Sequence, residues 1–145
     1  DFKLSTGTWV SVGPLRGRFI DHFAPYARDV VLAGPDRDHI GALVFPDIEA
    51  CRKLAGLGAD ATPDVIIASP KVRATFAELL ATLATHAQGS STRVARLALM
   101  AAPPSMDAGE MTDKGSINQR SVLGNRAALV EQLYAEPVPE TVISL

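Results

Sequence analysis

Two apolar runs on either side of a strong turn constrain this chain more than any other feature. Asp29-Val30-Val31-Leu32-Ala33 and Ile40-Gly41-Ala42-Leu43-Val44-Phe45 are short, apolar and rich in branched residues, which is strand chemistry. Gly34-Pro35-Asp36-Arg37-Asp38 lies between them and predicts a turn. The three segments together predict a hairpin of buried strands. Asp36, Asp38 and His39 crowd the turn, but turn and hairpin chemistry explains these residues without a metal ion.

The flanks add helices and short strands. Phe2-Lys3-Leu4 and Thr8 to Val12 alternate around Gly7, which predicts two short strands. Leu15, Phe19, Ile20 and Phe23 recur at helical spacing and end near Pro25. Asp47 is placed to cap a helix that Gly56 or Gly58 stops, and residues 56–60 read as a connection. Ser69-Pro70 opens a long helix with Val72, Phe76, Leu79, Leu80 and Leu83 on one stripe. His86 near its end suits a charge at the helix terminus. Arg93 to Ala101 predicts a strand, about Ile117 to Ala135 a last helix, and Glu136 to Leu145 an extended arm with Val142, Ile143 and Leu145 able to dock. The order predicts an α+β fold: a small, largely antiparallel sheet with helices packed on it.

At 145 residues the chain suits one domain with a real core. A net charge of −2, with its fourteen basic residues scattered, argues against nucleic acid and against an anionic membrane surface as partners. The single cysteine, Cys51, favours a reducing, cytoplasmic setting, and its Ala-Cys-Arg context reads as packing. No apolar run reaches the roughly 18 residues of a membrane span. Asp1-Phe2-Lys3-Leu4 is patterned without lead-in, as expected of a fragment.

Glu110 to Arg120 carries the strongest candidate chemistry. Thr112-Asp113-Lys114-Gly115 is turn chemistry, and a lysine on such a turn projects its ammonium toward solvent or an anion. A solvated loop lysine is the plain alternative. Ser116 to Gln119 fits the capping box S-x-x-Q, which predicts Ser116 as the cap of the last helix.

Both ends of the chain resemble one family. Phe2-Lys3-Leu4-Ser5-Thr6-Gly7-Thr8-Trp9-Val10 resembles the K-x-x-G-x-x-V strip that opens the small C-terminal domain of adenylate-forming acyl-CoA synthetases. Glu110 to Arg120 resembles the T-x-x-G-K-x-x-R lysine loop near the end of that domain, and the wording at both ends is similar to the feruloyl-CoA synthetase branch. If Gly115 is matched to the family glycine, Ser116 stands where the lysine is usual. The tighter T-x-K version instead fits Thr112-Asp113-Lys114, with two extra residues before Arg120.

The resemblance implies a single C-terminal lid domain over residues 1–145. Residues 1–13 form a glycine strip after the hinge, 136–145 form the tail, and a large N-terminal adenylation domain lies outside the chain. Implied substrates are ATP with magnesium, bound mainly by that other domain, coenzyme A, and a small aromatic or other carboxylic acid. Lys114 is implied as the catalytic cation, with Lys3, Gly7, Thr8 and Trp9 as cofactor-binding residues. An ammonium there would stabilise charge developing on the α-phosphate. A glycine facing the thiol path would leave room for pantetheine. Ser116 at the usual lysine position keeps a second reading open, a non-catalytic interaction domain that retained the fold.

Overall fold

The computed structural model describes all 145 residues. Strands β1 (Phe2–Lys3) and β2 (Trp9–Val10) form a small antiparallel ribbon, followed by helix α1 (Val12–Phe23). The predicted hairpin is β3 (Ala27–Ala33) and β4 (Ile40–Pro46). Three helices follow: α2 (Ile48–Ala55), α3 (Pro63–Ala68) and α4 (Pro70–Thr85). Strand β5 (Val94–Leu99), helices α5 (Gln119–Asn125) and α6 (Ala127–Leu133), and strand β6 (Val142–Ser144) complete the chain.

The main sheet has the order β3-β4-β5-β6. Its outer pairs are antiparallel, but β4 and β5 run parallel. The α2–α4 crossover brings the chain back to the same end of the sheet, as parallel pairing requires. The fold is therefore α+β with a small mixed sheet.

Both faces of this sheet are buried, which explains the continuous apolar runs. Alternation along the strands sends Val30, Leu32, Ala42 and Val44 to one face and Val31, Ala33, Leu43 and Phe45 to the other. The first face is covered by α1, α2 and α4. There Phe19 and Phe23 stack at 4.0 Å, and Phe76 of α4 meets Phe23 at 5.7 Å. The second face is covered by α5 and α6 through Val122 and Leu133.

Local signals place the helix ends. The Asp47 carboxylate accepts from the Ala50 amide, and Gly56 closes α2 at φ 68°. Ser69 caps α4 as its position predicts. Burial pushes the Cys51 thiol up to about 11, with the Asp47 carboxylate adding to the shift, so Cys51 is packing and a poor nucleophile.

Three expectations are corrected. Residues 56–60 are a connection as expected, but a third helix, α3, follows it before α4, capped by the Thr62 hydroxyl with Pro63 in its first turn. The last helix does not run unbroken from 117: Asn118 caps α5 by accepting from the Ser121 amide, so Ser116 is not the cap. Backbone dihedrals leave the helical region at Arg126, which separates α5 from α6. The extended tail docks through its apolar residues: β6 adds an edge to the sheet through Ala98↔Val142 and Leu97↔Ile143. No helix is long and apolar enough to cross a membrane.

Candidate functional site: two ends of one sheet

The glycine strip sits at the β3–β4 turn. The Ser5 amide donates to the Arg37 carbonyl and the Asp36 amide to the Lys3 carbonyl, which staples the ribbon to the hairpin turn. Phe2 lies so close over Gly34 that a Cβ there would stand 2.7 Å from the ring. Gly7 forms the tip: its amide donates to the Leu4 carbonyl, and its φ of 88° favours glycine. The space around Gly7 is open, with nothing within 4 Å of a built Cβ. Lys3 and Trp9 are register partners, and the Lys3 ammonium lies 5.6 Å from the Trp9 ring centroid. Trp9 is 65% exposed, a large apolar surface for solvent to cover. Thr8 bonds back into the turn through Thr6. Lys3, Gly7, Thr8 and Trp9 thus share one small projecting unit.

Lys114 tips a different projection. Met111 and Ile117 form an antiparallel bridge, the Thr112 amide donates to the Ser116 carbonyl, and the Gly115 amide returns to the Thr112 carbonyl. Residues 111–117 are therefore a tight hairpin, with Gly115 at φ 84°. Lys114 is exposed at the tip and joins none of the six ion pairs. Ser116 is also exposed, and its amide donates to the Thr112 hydroxyl. Beneath the hairpin an open cleft of about 820 Å³ is walled by Phe45, Pro46, Met100, Pro103, Met111 and Ile117.

The structure does not bring these two units together. The glycine strip rests on the turn leading into β4, whereas the lysine hairpin borders the cleft at Phe45 and Pro46, where β4 ends. Seven extended residues separate them, roughly 20 Å along the strand. Helices α5 and α6 connect the two ends across the second face. Along β3, the Gln119 side chain accepts from the Leu32 amide and donates to the Val30 carbonyl, satisfying the outer edge of the strand. At the turn end, the Tyr134 hydroxyl donates to the His39 carbonyl at 2.9 Å, and burial pushes the phenol up to about 12.

Sequence reasoning missed what roots the hairpin. Glu110, 2% exposed, receives Nε of Arg126 at 3.1 Å and Nη2 at 2.9 Å, a two-pronged pair. The Arg126 bonds hold the Glu110 carboxyl below the usual carboxylate range against the opposing effect of burial, with the Ser105 amide helping. Arg126 also donates to the carbonyls of Ala102 and Pro103 and lies 5.0 Å from the Phe45 ring. Glu110 and Arg126 are sixteen residues apart, beyond any helical or strand periodicity, so no local pattern pairs them.

This is the fold of the C-terminal region of adenylation domains. The domain of carboxylic acid reductase from Segniliparus rugosus, solved with AMP and a co-purified carboxylic acid, superposes with a TM-score of 0.67 at 22% identity, covering 93% of this chain and 20% of that one. A second structure from that organism, an adenylation–carrier didomain with AMP, gives 0.62 at 20% identity, covering 93% and 17%. The adenylation domain of a carboxylate reductase from Mycobacterium chelonae gives 0.63 at 20% identity, covering 93% and 19%. The chain thus spans about a fifth of the length of the solved structures it matches. No curated protein sequence matches it. Residues 2–137 match the family model of the AMP-binding enzyme C-terminal domain, and the chain belongs to that family.

Proposed function

We propose that this domain is the mobile lid of an ATP-dependent carboxylic acid–CoA ligase, and that it serves the two half-reactions with opposite ends of its sheet. The separation of Gly7 from Lys114 along β4 is the observation that carries the reading. Two units so placed on one small body cannot act on one reacting centre in one orientation. They can act in turn if the domain rotates against a partner.

In the adenylation orientation the Lys114 ammonium meets the α-phosphate of ATP as a carboxylate attacks it. The exposed tip and the absence of an ion-pair partner leave the ammonium available to an anion. This chain supplies the cation only. The purine, the magnesium and the acid would bind on the N-terminal adenylation domain. In the thioester orientation the Gly7 tip faces the acyl-adenylate, and its missing side chain leaves a path for the pantetheine thiol. Lys3 and Trp9 would border that path.

The Segniliparus rugosus adenylation domain, solved with AMP and a co-purified carboxylic acid, supports acid adenylation. Coenzyme A as acceptor and an aryl acid as substrate rest on the resemblance of the two end strips to the feruloyl-CoA synthetase branch. The test is AMP formation by the full-length protein given ATP and hydroxycinnamic or benzoic acids, with and without coenzyme A. Acid-dependent pyrophosphate exchange that becomes thioester formation when coenzyme A is added is the expected result. Absence of acid-dependent exchange would contradict the reading, and exchange without a CoA thioester would contradict its second half. The 145-residue chain alone is expected to show no exchange.

A further inference from the structure

We infer that Glu110 and Arg126 form a positioning pair that sets the Lys114 hairpin for adenylation; the inference rests on the reading of Lys114 given above. The hairpin has two roots, residues 110 and 118, and both pass through Glu110. Its carbonyl accepts from the Asn118 amide at 2.8 Å, and its own amide donates to the Ser105 carbonyl at 2.9 Å. The Glu110 carboxylate meanwhile receives the Ser105 amide at 3.0 Å and both prongs of Arg126. Glu110 is thus fixed by main chain and side chain together.

Arg126 extends that fixation to the sheet. Besides Glu110 it holds the carbonyls of Ala102 and Pro103 at 2.9 Å each, and its guanidinium lies over Phe45 of β4. Arg126 therefore ties together the chain leaving β5, the root of the hairpin and the sheet beneath. Lysine carries no such fork and could not make these contacts at once. The arrangement matters at Lys114 because the ammonium stands only four residues from Glu110, on a hairpin whose tip, residues 112–116, is exposed. A long side chain on a loose loop reaches an anion at an entropic cost, whereas a fixed root holds it near its working position. Glu110 and Arg126 touch no substrate in this account and act only through Lys114.

The experiment uses the full-length protein with Glu110→Gln and Arg126→Lys. Glu110→Gln keeps the shape and the acceptor for Ser105 but leaves the guanidinium without its counter-charge. Both variants are expected to lower kcat of pyrophosphate exchange by about tenfold or more, with KM for ATP within about twofold. Thioester formation from supplied acyl-adenylate should stay at the wild-type rate. A core variant far from the hairpin, Phe76→Leu, serves as control and should leave the ratio of the two half-reactions unchanged. Equal loss of both half-reactions, or none, overturns the positioning role. If neither variant is recovered folded, amide exchange on the wild-type chain decides: Thr112 and Asn118 should be protected as strand amides are, and exchange at exposed-loop rates overturns the proposal. Full adenylation by Lys114→Ala would instead sink the reading of Lys114. An inactive Lys114→Ala beside a fully active Glu110→Gln would sink only the positioning pair.

Discussion

The glycine tip and the lysine tip are built by the same device and anchored in different ways. Each is a short antiparallel turn with a glycine at positive φ, Gly7 at 88° and Gly115 at 84°. The Gly7 turn is held by main-chain bonds to residues 36 and 37 and by apolar contact, with Leu4 buried at its base. The Lys114 turn is held by a buried charge pair with backbone carbonyls around it. In the first anchor, those main-chain bonds and apolar contacts use no ionised side chain. The second depends on an ionised carboxylate. Under the proposed function the difference is expected: a tip that leaves room for a thiol needs only a fixed backbone, while a tip that delivers a charge needs its root held against rotation.

Lys114→Ala should give the largest effect, a loss of acid-dependent pyrophosphate exchange on the order of a hundredfold or more in the full-length protein. Gly7→Trp comes next, cutting thioester formation by about tenfold or more while sparing adenylation. A Cβ at Gly7 meets nothing within 4 Å, but at φ 88° any side chain strains the turn, so a block at the thiol path shows as the loss in Gly7→Trp beyond that in Gly7→Ala.

Acid should separate the two anchors. The Glu110 carboxyl titrates below its ordinary value of 4.5 when folded, so its stabilisation is present above that value and is lost as pH falls through the folded value. Thermal melts of the 145-residue chain should therefore decline from about pH 4.5 downward, and Glu110→Gln should flatten that part of the curve. An unchanged curve in Glu110→Gln would assign the acid sensitivity elsewhere. The smallest effect concerns the helix start. Asn118→Ala should cost about 1 kcal/mol of stability as a lost cap, and Ser116→Ala less than about 0.5 kcal/mol, read from denaturant midpoints.

What was legible in the sequence was local. The β3–β4 hairpin follows from branched residues around Gly34-Pro35, the α2 and α4 starts from Asp47 and Ser69, and the α4 stripe from period alone. Three features escaped prediction, for different reasons. The cap of α5 lies at Asn118 because Ser116 is already committed to the hairpin through its backbone, so S-x-x-Q misled. The tail pairs with β5 because Val142 and Ile143 complete the two faces of the sheet, which requires knowing that both faces are buried. The α3 helix carried a visible Thr62-Pro63 start, but six residues are too few to show a period. The two candidate tips were both legible as turns. Their placement at opposite ends of β4 was not, since it follows from the fold.

The claim that most depends on that placement is the division of labour between the tips. It is tested by assaying pyrophosphate exchange and thioester formation from supplied acyl-adenylate on Lys114→Ala and Gly7→Trp side by side. The account predicts a crossed result: Lys114→Ala loses exchange and keeps the thioester step, and Gly7→Trp does the reverse. Parallel losses in both variants would contradict it, because they would place the two tips at one reacting centre.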